Sequence, residues 1–164
     1  MSHTAYIAIG TNLGDRASNY RSALSRLGEL KETRITRWSS LYESEPHGKA
    51  RNWFLNGVVE VSTELEAEEL MKMMAKIETA MGRKRRQEKS SVSRIIDLDL
   101  LLFDAEIIST RTLKVPHPEL PSRRFVLLPL SELAPGLPHP VLGETISSLL
   151  VATEDPKKVR LFKQ

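Results

Sequence analysis

The 164-residue sequence contains no cysteine. That excludes a disulfide framework, a thiolate zinc site and a cysteine nucleophile. No apolar run approaches the roughly 18 residues a membrane span needs; residues 100–103 and 125–130 are among the longest. The N-terminus shows no charged region leading into an apolar stretch, so no secretory signal is expected and the cytoplasm is the expected location. There is no G-x-x-x-x-G-K-[ST] and no G-x-G-x-x-G. Any nucleotide is therefore handled without a glycine-rich phosphate loop. Gly10-Thr11-Asn12-Leu13-Gly14 reads only as a turn flanked by glycines. Net charge is small, +3, and by itself points to no partner. The length predicts one domain, residues 1–164, with a loose tail from about residue 153.

Charge is present locally where the total hides it. Residues 83–94 (RKRRQEKSSVSR) carry six cations and one acid, a local charge of +5, so the rest of the chain sums to −2. The protein reads as a mildly acidic body with one basic segment.

Residues 4–10 read as a short strand closed by glycine. Gly14-Asp15 offers a turn and an N-cap. Tyr20, Ala23, Leu24 and Leu27 then share one helical face, with Gly28 as a stop. Residues 35–44 and 53–63 read as strands on either side of a Pro46/Gly48 turn. In the second of these Leu55, Gly57, Val59 and Val61 share one face, and Phe54, Asn56, Val58 and Glu60 the other. Leu70, Met73, Met74, Ile77 and Met81 form a helical stripe that Gly82 can end. The basic segment has no periodicity and reads as a loop, and residues 95–103 read as a strand. This order predicts an α+β fold with a ferredoxin-like βαββαβ core: an antiparallel sheet with helices packed on it and extra C-terminal strands and helices. Seven of the nine prolines lie between residues 116 and 140, which predicts turns and broken helices there, with a closing helix over 143–152.

The most telling triplet is Asp97-Leu98-Asp99. In a strand its two acids point the same way, with Cα atoms about 6.5 Å apart. Ile96, Leu98, Leu100 and Leu102 then face the core. Two solvated acids are the simplest alternative. Like charges at neighbouring positions repel, however, and a divalent cation removes that repulsion. A donor set of oxygens without cysteine favours Mg²⁺ over zinc. The basic loop runs straight into this pair. Adjacent cations and metal-binding acids suit a polyphosphate, since Arg grips phosphoryl oxygens and Mg²⁺ bridges them. Phe54 and Asn56 share a face away from Leu55 and Val59, where a flat heterocycle could stack and hydrogen-bond; covering a second small core is the other reading. In Val115-Pro116-His117-Pro118 the prolines fix the backbone and aim the ring. Arg123 and Arg124 precede Phe125, either a second aromatic wall or the start of the apolar run.

Four stretches, in order, carry a resemblance: YIAIGTNLGDR; LYESEPHG with FLNGVVEV; IETAMGRKR…RIIDLDLLLFD; and VPHPELPSRRFVLLPLSELAP. From about Tyr6 to Pro135 the chain resembles the 6-hydroxymethyl-7,8-dihydropterin pyrophosphokinases of folate biosynthesis. R-x-x-D-x-D-x-x-x-F followed by V-P-H-P and R-x-F is its most specific element. The resemblance implies attack of the pterin hydroxymethyl oxygen on the β-phosphorus of ATP, with AMP leaving. It implies two Mg²⁺ ions held by Asp97 and Asp99. Arg85 and Arg94 would join them in catalysis, contacting the phosphates with His117 and Arg123, and with Arg83 and Lys114 as weaker contributors. Glu78 and Leu100 would lie on the ATP side. Phe54 and Phe125 would sandwich the pterin and Asn56 would read its polar edge. Backbone around Ser44, Pro46 and His47 would complete that pocket. ATP and the pterin are the partners implied, for a monomer without nucleic acid or membrane.

The sequence departs from the family pattern in three places. Residues 89–94 (KSSVSR) lack the usual Trp and Gly-Pro, and Arg86 or Lys89 would replace a family Arg. Residues 48–54 lack a usual Gln. His47 stands where an aliphatic residue is common. An RNA-recognition module shares the element order and is the alternative reading. Its third-strand pattern of aromatics is not met at residues 53–59, and the Asp pair would repel a phosphate backbone.

Overall fold

The computed structural model describes residues 2–46, 52–82 and 94–163. Its centre is β1 (His3–Thr11). Ala5, Ile7 and Ile9 enter one core and Tyr6 the other, so this strand is apolar on both sides. It pairs antiparallel with β4 (Phe54–Thr63) and with β5 (Asp97–Phe103). The sheet runs β5-β1-β4-β3-β8, and β2 also pairs with β4. This is the strand order of a ferredoxin-like sheet with additions, as the element order predicted.

Two helices cover one face. In α1 (Arg16–Gly28) the Asp15 side chain accepts from Ser18 N at 3.0 Å, capping the first turn, and Tyr20, Ala23 and Leu27 are buried. In α2 (Ala67–Ala80) Leu70, Met74 and Ile77 face the core. Met73 lies only partly buried, and Glu78 takes the inward place instead. Gly82, at φ +100°, ends the helix with its N–H on Thr79 O. On the opposite face lie α3 (Arg124–Leu133) and α4 (Ile146–Ala152). Their Val126, Leu127, Leu130, Leu133, Ile146 and Leu149 close a second core with Tyr6, Val58, Leu101 and Leu102. The face of β4 that carries Phe54 and Asn56 therefore does cover a second core, through Val58.

Three expectations need correction. The strand expected over 35–44 is two strands, β2 (Thr33–Trp38) and β3 (Tyr42–Ser44). The break has a cause: Ser39 is buried, and its hydroxyl takes the Val58 N–H. Glu132 of α3 collects Ser40 N, Ser40 Oγ and Tyr42 Oη, so at Ser40 a side chain takes the place of the ladder.

Leu102 does not share the face of Leu98 and Leu100. Tyr6 pairs with Leu102 and Ile7 with Leu100, leaving Leu101 as the extra residue of a β-bulge. Below the bulge Ile96, Leu98 and Leu100 lie in the α1/α2 core; above it Leu101 and Leu102 turn to the other core.

The residues after Thr153, expected as a loose tail, include β8 (Val159–Leu161), which pairs antiparallel with β3. A two-residue hairpin ladder, β6 (Ile108–Ser109) with β7 (Lys114–Val115), lies beside β5 and completes the fold.

Candidate active site

A cleft of about 680 Å³ opens beside β5 and extends around this edge strand. On the central strand its floor is Gly10 and Ala8. Gly10 pairs with Asn56 on one side and Asp97 on the other; Ala8 pairs with Val58 and Asp99. Directly opposed residues in an antiparallel sheet share a face. Small residues on β1 thus leave room between the amide of Asn56 and the two carboxylates. The sequence reading missed these two positions, although the run from Tyr6 through Ala8 to Gly10 on one face was the available signal.

Asp97 and Asp99 both line the cleft, with side chains 29% and 34% exposed. Oxygen donors on a rigid strand, partly open to the cleft, fit Mg²⁺, which keeps several positions for water and phosphate. Among the described residues a tighter cluster of metal-capable groups, His3, Asp104 and Glu106, lies at the far ends of β1 and β5. Arg94 Nη1 approaches Asp97 Oδ1 at 3.5 Å. Asn12 fixes the entry to β5: its Oδ1 accepts from Arg94 N at 2.6 Å, its own N–H reaches Arg94 O, and its Nδ2 reaches Asn52 O.

The edge of β5 away from β1 needs a partner for its N–H groups. Glu78, 4% exposed, supplies one: its Oε2 accepts from Leu98 N at 3.0 Å. Leu98 sits between the two aspartates, so this bond ties the end of α2 to the strand that presents them.

The β5 bulge places the histidine. His117 N donates to the carbonyl of Leu101 at 2.9 Å. The ring nitrogen Nδ1 accepts from Glu119 N, which leaves the neutral ring its proton on Nε2. Nε2 lies 3.7 Å from Asp99 Oδ1. Burial, with Arg123 nearby, holds the imidazole below its ordinary pKa, and Asp97 pulls the other way without reversing it. His117 is thus a neutral donor at pH 7. Arg123 pairs with Glu119 and its guanidinium lies 5.5 Å from the centre of the Phe125 ring.

At the aromatic end, Phe54 and Phe125 both line the cleft. Asn56, 5% exposed, donates from Nδ2 to Ser44 Oγ at 2.6 Å. The remaining expected residues Glu78, Leu100, Lys114 and Ser44 line the same cleft. Pro46 does not; its carbonyl takes a hydrogen bond from Lys157 Nζ. His47, Arg83 and Arg85, and with them the basic loop up to residue 93, lie outside the described residues. Lining residues the sequence reading passed over include Met71, Met74, Ala75, Thr112 and Leu113. Apart from Thr112 they form an apolar wall contributed by α2 and the β6–β7 hairpin.

Residues 6–135 match the family model described as 7,8-dihydro-6-hydroxymethylpterin-pyrophosphokinase (HPPK). The chain is 40% identical, over 165 aligned positions, to a 2-amino-4-hydroxy-6-hydroxymethyldihydropteridine pyrophosphokinase of Bacillus subtilis, covering 100% of this chain and 93% of that one. It is 40% identical over 139 positions to the enzyme of that name in Aquifex aeolicus, covering 84% of each. Among solved structures, Plasmodium falciparum HPPK-DHPS (the triple mutant with STZ-DHP) superposes with a TM-score of 0.74 at 17% identity. That match covers 92% of this chain and 43% of the solved one, so the chain spans less than half the length of that relative. At such identity the likeness concerns the fold alone. The RNA-recognition alternative finds no support in these matches.

Proposed function

The chain belongs to the 7,8-dihydro-6-hydroxymethylpterin-pyrophosphokinase family, and from that membership we propose how its residues divide the work. The protein is an enzyme, a diphosphotransferase. It transfers pyrophosphate from ATP to the hydroxymethyl group of 6-hydroxymethyl-7,8-dihydropterin in folate biosynthesis. The hydroxymethyl oxygen forms a bond to the β-phosphorus, the bond from that phosphorus to the oxygen of the α-phosphate breaks, and AMP leaves with that oxygen. The hydroxymethyl proton is lost to solvent.

The observation that carries the residue assignment is the pairing of Gly10 with both Asn56 and Asp97. It sets a stacking end and a carboxylate end side by side on one open floor. In our reading Asp97 and Asp99 would hold two Mg²⁺ ions, which would supply charge neutralisation for the transferred phosphates. Arg94, His117 and Arg123 grip phosphate oxygens from the two sides of the Asp pair, with Arg83, Arg85 and Lys114 as further cations. His117 does so through its Nε2–H. Glu78 and Leu100 stand on the ATP side. Phe54 and Phe125 stack on the pterin, Asn56 hydrogen-bonds its polar edge, and the chain at Ser44, Pro46 and His47 closes that end. No described side chain in the cleft is a strong base, so catalysis is chiefly positioning and electrostatics. A single domain working as a monomer in the cytoplasm completes the proposal.

Incubation with ATP, Mg²⁺ and the hydroxymethyl-dihydropterin should release AMP in equal amount to pterin diphosphate. Formation of ADP instead would overturn the reaction assigned. Omission of Mg²⁺ should abolish turnover, and turnover unchanged by chelation would remove the two-metal role.

A further inference from the structure

The family match ends at residue 135, yet residues after that point bond to the start of α3 and pair with β3, the neighbours of Phe125 and Phe54. We propose that residues 153–162 are a positioning strap that sets the distance between the two aromatic walls of the pterin end. This rests on the reading that Phe54 and Phe125 hold the pterin.

One end of the strap holds the start of α3. That helix begins at Arg124, and Arg123 at its N-cap makes no side-chain capping bond. Asp155 supplies the cap from a distance: its Oδ2 accepts from Arg124 N at 2.9 Å. A carboxylate there also meets the positive end of the helix. The Arg124 guanidinium folds back on the carbonyls of Asp155 and Thr153. Asp155 is itself held, with Oδ1 accepting from Lys157 N at 3.0 Å. Phe125 is the next residue of the helix, so its wall is fixed by this clasp.

The other end holds β3 and the entry to β4. Ser44 pairs with Val159 and Tyr42 with Leu161. Glu45 N reaches Lys158 O, Lys158 N reaches Glu45 Oε1 at 2.7 Å, and Lys157 Nζ reaches Pro46 O at 3.2 Å. The Arg160 guanidinium lies 4.3 Å from the centre of the Trp53 ring, and its Nε is 3.3 Å from Glu43 Oε1. Trp53 immediately precedes Phe54. Two walls on different elements, with no direct covalent link near the cleft, are thus joined by about ten residues of one strap.

A merely structural tail would change stability and leave the two substrates equally affected. A strap predicts a split. The Asp155→Ala enzyme should show a pterin KM raised about tenfold, with the ATP KM within about threefold, the scale expected for a displaced positioning wall. Asp155→Asn keeps an acceptor for Arg124 N and should recover part of the loss. Lys157→Met removes only the Pro46 contact and, should Asp155→Ala fail to fold, gives the same split in smaller size. Equal changes for both substrates, or a lowered melting temperature with both KM values intact, would overturn the proposal. Phe54→Ala and Phe125→Ala serve as controls. If they leave the pterin KM unchanged, the wall assignment fails; if they raise it while Asp155→Ala and Lys157→Met do not, only the strap fails.

Discussion

Gly10→Ala tests the division of the cleft with one methyl group. A Cβ at this position would lie 3.2 Å from Asn56 Oδ1 and 3.8 Å from Phe54. The first distance is tight, so the amide must move by a few tenths of an ångström. It is not free to do so, because Asn56 Nδ2 is bonded to Ser44 Oγ at 2.6 Å in a buried setting. Loosening one neutral hydrogen bond costs about 0.5–1.5 kcal/mol. If that cost appears in binding, the pterin KM rises by roughly 2- to 13-fold. The ATP KM should stay within twofold, since the carboxylate side has no comparably close atom. Gly10 lies in an ordinary extended strand, so the backbone accepts alanine, and a lower entropy of the unfolded chain offsets the crowding. Steady-state kinetics with each substrate varied in turn, beside a thermal melt, reads all three quantities. A pterin KM unchanged while the ATP KM rises would place the pterin elsewhere and refute the reasoning.

Asp97→Asn and Asp99→Asn should each cut AMP release by at least about 10²–10³-fold, the scale for losing one preorganised electrostatic group. Their melting temperatures should hold, because relief of like-charge repulsion offsets lost contacts; near-normal turnover in either would remove the metal role. Gly57→Ala should destabilise strongly, since its Cβ would fall 2.0 Å from Tyr20 Oη and 2.9 Å from Cζ. Overpacking of about 1–3 kcal/mol corresponds to a fall of roughly 2–12 °C in Tm. Tyr20→Phe removes a buried hydroxyl without a hydrogen-bond partner among the described residues and should restore part of that loss, while a double variant no better than Gly57→Ala alone would contradict the clash. His3 is raised above its ordinary pKa by its hydrogen bond to Asp104, burial opposing and Glu66 assisting. Its stabilising contribution is therefore full below about pH 6.5 and is lost as pH rises through the raised value. The gap in Tm between the wild type and His3→Asn should widen on acidification from pH 8 to 5.5; a gap constant with pH would show that the imidazolium contributes nothing.

Periodicity made much of this molecule readable. The stripe at Leu70, Met74 and Ile77, the cap at Asp15 and the alternation along β4 all follow from local pattern, and the structure keeps them. The Asp pair was legible for the same reason, because two residues apart in a strand means one face. Failure came where long-range partners overrule the pattern. Residues 35–44 look like one strand because β-branched and aromatic residues occur in both halves of the stretch. Only the arrival of Ser39 at Val58 and of Glu132 at Ser40 breaks it. Glu78 entered only through the resemblance, as an ATP-side residue; its burial depends on its bond to Leu98 N on the outer edge of β5, which no local window contains.

The bulge at Leu101 shows why such failures gather at the site. A perfectly alternating β5 would keep Leu98, Leu100 and Leu102 in one core, and Leu101 would share the cleft face with Asp97 and Asp99. One extra residue turns Leu102 into the second core beside Leu101 and places the Leu101 carbonyl under His117 N. Two expectations that looked separate, the apolar run after the aspartates and the histidine between prolines, are therefore one arrangement. The acids are set by the regular half of β5 and the histidine by the irregular half. Straightening β5 with every residue kept would restore the alternation, yet it would turn Leu102 and Phe103 each to the wrong core. The irregularity is thus held in place by about two buried side chains, worth several kcal/mol at roughly 1.5–3 kcal/mol each. That packing is what keeps His117 beside Asp99 before any substrate arrives.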